Sequence, residues 1–427
     1  MPKKLPSYIA STVVVLALLS YFGHTVQQVH SGKSDLPKGV QNVVREFVGV
    51  VNLFERAVEE SQSLPKTFVK TPKHFEAINR LEEDVKILTS YTNEANTRTV
   101  ALINLRTGEE LKTWEFTKLT NPSNRVMHSI MLPDSGLICA VHGVSGVYRL
   151  NSEGDILWYQ DSVYHHHAIN LGNDGSVWVN SVTPDKTQYF LYNGRLEMGN
   201  KSYPYVDHSI TRLDLETGRI LYNRSLTDVL VKHDLTHLLV KSTVTRTPLH
   251  TNDVQPALSD GPYWNRGDVF ISSRNGSWIM QFRPSTDEVI RVIEGPFSNQ
   301  HDVDFESDST IIFFNNGSPT QPLGKKDGWP TTSDPVNIRF HSGILRYHLG
   351  SGEFERVERD VFREYDIYTH TEGLQDAIPG GGYLVEEQNA SVLWVIRDGE
   401  VLYKNVLKSH HPGHHHLANW ARVIEYL

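Results

Sequence analysis

Four histidines of the sequence stand at one recurring offset. His128, His167, His250 and His301 each lie four residues ahead of a large apolar residue, Leu132, Leu171, Val254 and Phe305. Imidazoles that share a repeat phase meet if the repeats are arranged around an axis, and such a cluster can bind a metal, relay protons or act as a nucleophile. Arg274, in Asp268-Val-Phe-Ile-Ser-Ser-Arg274-Asn275, bears on the choice. Its planar fork suits a tetrahedral oxyanion and repels a divalent cation. An anionic substrate held by Arg and His is the better fit, with no metal or other cofactor. The plainer alternative, a histidine that only bonds a neighbouring backbone, is weaker for the set than for any one member.

The elements that must position these residues are short and β-rich. His128 to Gly136, His167 to Gly175 and His301 to Ser309 align as strand followed by turn, and His250 to Val254 fits with its turn delayed. A second element recurs downstream in Gly146 to Trp158, Ile210 to Gly218 and Gly343 to Gly352. A strand-turn-strand unit recurring about every 40 to 50 residues predicts four-stranded propeller blades. Starts fall near residues 128, 167, 250, 301 and 372. Thr99 to Trp114 lacks a start and His416 to Trp420 lacks an outer half, so the two join as a closing blade. The expectation is an all-β, six-bladed propeller, or seven if the long stretch from Gly175 to His250 hides another blade.

The remainder of the chain sets the surroundings. The chain has 427 residues, 39% of them apolar and 10% aromatic, and carries a net charge of -9 with both signs interspersed. That argues for a large folded core and against nucleic acid as a partner. Cys139 is the single cysteine, so no internal disulfide and no cysteine-based metal cage can form. Lys3 and Lys4 precede an apolar run from Tyr8 to Phe22 that predicts a single-pass membrane anchor over residues 1–31, with the propeller on the exported side. The alternative is a cleaved signal peptide, although no small-x-small site follows the run. Residues 32–97 read as a helical stalk: Val43, Val44, Phe47, Val50, Val51, Phe54 and Val58 recur at helical spacing, and a second helical stretch is expected over 75–88. The propeller is expected over residues 98–427.

Four segments then carry a resemblance. His250-Thr-Asn252-Asp253-Val254, Gly267 to Asn275, Gly295-Pro-Phe-Ser-Asn-Gln300-His301-Asp302 and Ile311-Ile-Phe-Phe-Asn-Asn316-Gly317 are similar to successive signatures of the arylsulfotransferase family, the PAPS-independent arylsulfate sulfotransferases. The resemblance spans about residues 98 to 427. It implies a six-bladed propeller that moves a sulfuryl group from an aryl sulfate to a phenol through a sulfohistidine, without a nucleotide. By the same resemblance His301 is the nucleophile, and His250 and Arg274 cradle the sulfuryl oxygens. A histidine of the His165-His166-His167 run completes the site, repeat phase selecting His167, and Asn252, His128 and His166 are further substrate contacts. The family's soluble periplasmic members carry a β-rich N-terminal domain and a disulfide that this chain lacks, so dimerisation and aryl specificity do not carry over.

Two other readings stay open: a histidine-ligated iron enzyme, against which Arg274 weighs, and a membrane-displayed binding propeller without catalysis. Trp158, Tyr164, Trp178, Trp264 and Trp278 could wall a phenyl ring, although packing between blades is the commoner use. Consecutive histidines on a strand face opposite ways. His165 to His167 and the run from His410 to His416 therefore read as poor chelators.

Overall fold

The computed structural model describes residues 5–30, 36–37, 39–41, 43–44, 64–116, 125–142, 146–162, 164–182, 194–242, 246–319 and 339–425. They fall into two compact units, Met1–Pro65 and Lys66–Leu427.

In the second unit, the described residues form six blades. Blade 1 runs from Arg125 to Gln160, blade 2 from Tyr164 to Ser225, blade 3 from Thr251 to Ile293, blade 4 from His301 to Val357 and blade 5 from Leu374 to Asn405. Blade 6 has strand Asn419–Val423 innermost, paired to Lys86–Thr92, then Arg98–Asn104 and Glu109–Phe116. The two ends of the unit thus close the ring within one sheet.

Strands such as Ile311-Ile312-Phe313-Phe314 are apolar at every position because each blade is covered on both faces. Ile311 and Phe313 pack toward blade 3, whereas Ile312 and Phe314 pack toward blade 5. The same division gives one apolar cluster at each of the six blade junctions.

A second set of contacts pins the inner strands to one another. Asp253 accepts the Val303 backbone N–H (2.7 Å), Asp302 that of Gln375 (3.0 Å) and Asp376 that of Val423 (2.7 Å), joining blade 3 to 4, 4 to 5 and 5 to 6. Asn170 of blade 2 donates to the Val254 carbonyl of blade 3 (3.1 Å). Arg422 of blade 6 reaches the Ile169 carbonyl of blade 2 (2.6 Å).

Several expectations need correction. The stretch 75–88 is not helical. Phe75 and Ile78 pack at the junction of blades 4 and 5, and Leu81 and Val85 at that of blades 5 and 6; Ile78–Asn79 adds a fifth strand to blade 5. Their helix-like spacing loses to sheet edges, which offer unpaired backbone partners and an apolar seam. There is no seventh blade among the described residues. The extra length between Gly175 and His250 holds a hairpin, Gly194–Met198 with Lys201–Tyr205, and two helices, Leu226–Lys232 and His237–Val240. The first of these starts at Ser225, whose hydroxyl accepts the Asp228 N–H (3.1 Å). Residues 5–30 do form a helix, but among the described residues no helix is long and apolar enough to cross a membrane. Ser20, His24, Thr25 and Gln28 dilute its second half. The helical pattern expected from Val43 to Val58 lies almost wholly outside the described residues.

Candidate functional site

The inner strands carry the site, and each of five departs from regular pairing at an equivalent place. The register shifts between Met127 and Ile130 in blade 1, His165 and Ile169 in blade 2, Thr251 and Asp253 in blade 3, His301 and Val303 in blade 4, and Asn419 and Arg422 in blade 6. Backbones turn left-handed there or beside it: φ is 46° at His128, 64° at His167, 43° at His250, 57° at Asp302 and 48° at Trp420. A bulge bends its strand and re-aims a side chain. The repetition of this bulge turns a shared sequence phase into convergence on the axis.

Histidines from blades 2, 3 and 4 meet as a result. The ring of His167 lies 5.4 Å from that of His250 and 5.7 Å from that of His301, and the Nε2 atoms of His167 and His250 are 3.3 Å apart. His166 joins them edge-on, 4.3 Å from His167 and 4.6 Å from His250. This corrects the expectation that neighbouring histidines on one strand must face opposite ways: the bulge breaks the two-residue period at that point. His208, at the start of the third strand of blade 2, stands 5.1 Å from His166 and was not anticipated. No repeat signal marks it. His128 instead lies tilted against Trp420 (4.6 Å), whose ring is 5.9 Å from His167.

Hydrogen bonds fix the imidazoles. Nδ1 of His301 faces the Asn316 side-chain oxygen (2.7 Å) and the Asn299 carbonyl (3.1 Å). Asn316 is itself oriented by donating to the Thr369 carbonyl (2.7 Å). Two acceptors at Nδ1 require that this nitrogen carry the proton, which leaves Nε2 with its lone pair. That Nε2 is buried and has no partner. Likewise Nδ1 of His166 faces the Thr251 carbonyl (3.0 Å), while Nδ1 of His208 meets the Thr251 hydroxyl (3.0 Å).

Burial, first of all, keeps these rings uncharged. It pushes His301 down to about 3, with the Arg274 guanidinium acting in the same direction. Burial and neighbouring imidazoles hold His128, His167 and His250 well below the usual histidine range. Arg274 lies on the turn after the second strand of blade 3. Its Nη1 donates to the Asn275 side chain (2.8 Å) and its Nε to the Thr371 carbonyl (3.3 Å), and its backbone N–H binds the His250 carbonyl (3.1 Å). Asn252 donates to the Gln300 carbonyl (2.6 Å) and keeps a buried, unpartnered side-chain oxygen. Gln300 ties blade 4 to blade 3 through Ser272, Ser273 and Trp278 (3.0 Å each), so the residue before His301 is itself a brace.

Farther along the axis, a cavity of about 50 Å³ is lined by His128, Asp302, Asp304, Gln375, Asp376, Trp420 and Arg422. It has room for a water or two but not for an aryl ring. A larger groove, about 460 Å³ between Gly295 and Arg363 on blade 4, contains none of the axial histidines.

The tryptophans singled out in the sequence take the commoner use, packing between blades. Trp178 and Trp278 fill the junction of blades 2 and 3, and Trp264 that of blades 3 and 4. Trp420, with Met127 and Leu374, supplies the apolar surface beside the histidines. The histidines at 411 and 416 flank Glu94 (3.4 and 3.3 Å), away from the axial cluster.

A model of the arylsulfotransferase (ASST) family matches residues 128–403, more than half of the chain, including the inner strands of blades 2 to 5 and the His128 end of that of blade 1. The chain belongs to the arylsulfotransferase family. No curated protein matches it. Among solved structures, this arylsulfotransferase-family propeller is similar to a protein of unknown function from Bacteroides caccae (11% identity over 81% of this chain and all of that one, TM-score 0.49). Virginiamycin B lyase from Staphylococcus aureus, solved with quinupristin, gives 14% identity over 78% and 88% of the two chains and a TM-score of 0.42. AztD from Citrobacter koseri gives 9%, 80%, 98% and 0.39.

Proposed function

We propose that this arylsulfotransferase-family protein moves a sulfuryl group from an aryl sulfate to a phenol, with His301 as the nucleophile. The observation that carries the reading is the His301 imidazole itself: neutral, protonated at Nδ1 by its two oxygen partners, and presenting a buried Nε2 lone pair with nothing bound to it. Leaving such an atom unpaired costs stability, about 1–3 kcal/mol. A site that keeps it so has a use for the lone pair.

In the first half-reaction the Nε2 lone pair attacks sulfur and the sulfur–oxygen bond to the aryl group breaks, leaving a sulfo group on Nε2. Arg274 donates to the sulfuryl oxygens as charge collects on them. The bound ester brings a negative charge beside His167 and His250. That charge offsets burial and Arg274, so the pair can hold the proton that the departing phenolate takes up. In the second half-reaction an acceptor phenol returns a proton to the same pair and attacks sulfur; the sulfur–nitrogen bond breaks and neutral His301 is restored.

Intact-protein mass spectrometry after mixing with p-nitrophenyl sulfate tests this reading. The parent should gain one sulfuryl group, and it should lose that group when phenol is added. A parent that turns over without labelling, or a His301→Ala variant that still labels, would sink it.

A further inference from the structure

The histidine cluster contains a second geometry that sulfuryl transfer does not use. Nε2 of His167 and Nε2 of His250 lie 3.3 Å apart. Two ligands held at about 2.0–2.1 Å from a tetrahedral ion are themselves about 3.3 Å apart, so the pair already has the separation that zinc requires. One ring nitrogen from each of His166, His167 and His250 lies within 4.8 Å of the others. His166 is prepared for the role: with Nδ1 donating to the Thr251 carbonyl, its Nε2 keeps the lone pair. Metal-bound histidines are ordinarily oriented in this way, and here the Thr251 hydroxyl also holds His208 behind them (3.0 Å).

We propose that His166, His167 and His250 form a site for a borderline divalent cation such as Zn²⁺, with the fourth position open. Three imidazoles and one exchangeable position suit zinc or its neighbours in the transition series better than a hard cation. The ion takes the place of the single proton that otherwise lies between the two Nε2 atoms. Arg274 is the obstacle, being a fixed cation nearby. The Glu372 carboxylate favours the charged form of Arg274 against burial, and its own negative charge offsets part of the guanidinium's field.

The site shares His167 and His250 with the pair proposed to take up and return the proton. Zinc on that pair therefore removes the proton carrier, and the zinc-loaded protein does not turn over. That consequence rests on the sulfuryl-transfer reading, whereas the binding site does not.

Calorimetric titration of the full-length, chelator-treated protein with Zn²⁺ alone tests the site without any turnover. One equivalent should bind, and Co²⁺ in its place should give the strong visible absorption of a tetrahedral ion. Loss of an outer partner of a metal ligand typically costs about 10–100-fold in affinity, so removing a ligand should cost at least about 100-fold. His167→Ala and His250→Gln should both show that loss with unchanged circular dichroism, and His301→Ala should bind as the parent does. Absence of saturable binding would overturn the proposal. So would binding that survives in both ligand variants, or that disappears instead when His410, His411 and His414 are replaced by alanine. In a separate assay of chelated protein with p-nitrophenyl sulfate and phenol, Zn²⁺ should lower kcat in step with the fraction of sites it fills. Turnover of the chelated protein without zinc binding in the calorimeter refutes the metal site and leaves sulfuryl transfer standing; zinc binding with no turnover of the chelated protein does the reverse.

Discussion

Two layers of buried titratable groups share the axis of the propeller and differ in how their polar atoms are spent. In the carboxylate layer, Asp253, Asp302 and Asp376 each accept a backbone N–H from the next blade, and Asp304 accepts from the Gln375 side chain (2.9 Å). In the histidine layer, buried Nε2 of His301, Nδ1 of His167 and Nε2 of His208 have no partner. Burial drives both layers toward neutrality, raising the carboxyls and lowering the imidazoles. Shifted protonation alone therefore does not separate a working group from a structural one. Hydrogen bonding does separate these two layers: the carboxylates are spent on neighbouring blades, whereas the three imidazole nitrogens stay available to a ligand.

Substitutions in the two layers should accordingly fail in opposite ways. The largest effect is expected from His301→Ala, which should lower kcat for sulfuryl transfer roughly a thousandfold or more while thermal unfolding stays near the parent's. A large loss of stability instead would put His301 on the structural side. Arg274→Lys should come next, at about 10²–10³ in kcat, because the point charge keeps attraction but loses the paired donors aimed at the sulfuryl oxygens. Asp253→Ala should do the converse. Denaturant unfolding should show a loss of about 1–3 kcal/mol, from the unpaired Val303 N–H and from an Asn170 amide group left with only its bond to the Val254 carbonyl, with kcat altered far less.

The smallest effect is one of slope. Burial raises Asp253 to about 7 in the folded chain, against an ordinary value of 3.8. A carboxyl raised on folding binds more protons in the native state, so its contribution to stability is full below about pH 4 and is lost as pH rises toward about 7. Asp253→Asn should remove that part of the slope in stability measured between pH 4 and 7. The histidines act with the opposite sign: their folded values are depressed, so they withdraw stability as pH falls below the usual histidine range. His301, depressed to about 3, should contribute no acid limb to the activity profile between pH 8 and 5. A His301 imidazole that takes up a proton between pH 8 and 5 in an NMR titration would contradict that assignment.

Much of this was legible in the sequence, because a propeller repeats itself. The offset from His128 to Leu132, His167 to Leu171 and His301 to Phe305 marks equivalent strands, and equivalence alone carries them to one axis. The orphaned ends, Thr99 to Trp114 and His416 to Trp420, likewise announced a closing blade. Local patterns that compete with ring closure misled: 75–88 has apolar residues at helical spacing, yet its segments go to the junctions and the edge of blade 5.

The linear chain determined the fold class, favoured six blades over seven and put most of the converging residues on equivalent strands, since these follow from periodicity and periodicity is a property of the sequence. Tertiary structure alone decided which atoms do what. The inner-strand bulges set His166 beside His167, and Asn316, Asn299 and Thr369 from three separate segments fix the proton on Nδ1 of His301. Packing across the axis placed His208 and Trp420 against the cluster. These facts depend on distances between residues far apart in the chain, and no pattern of neighbours in sequence encodes a distance across a closed ring.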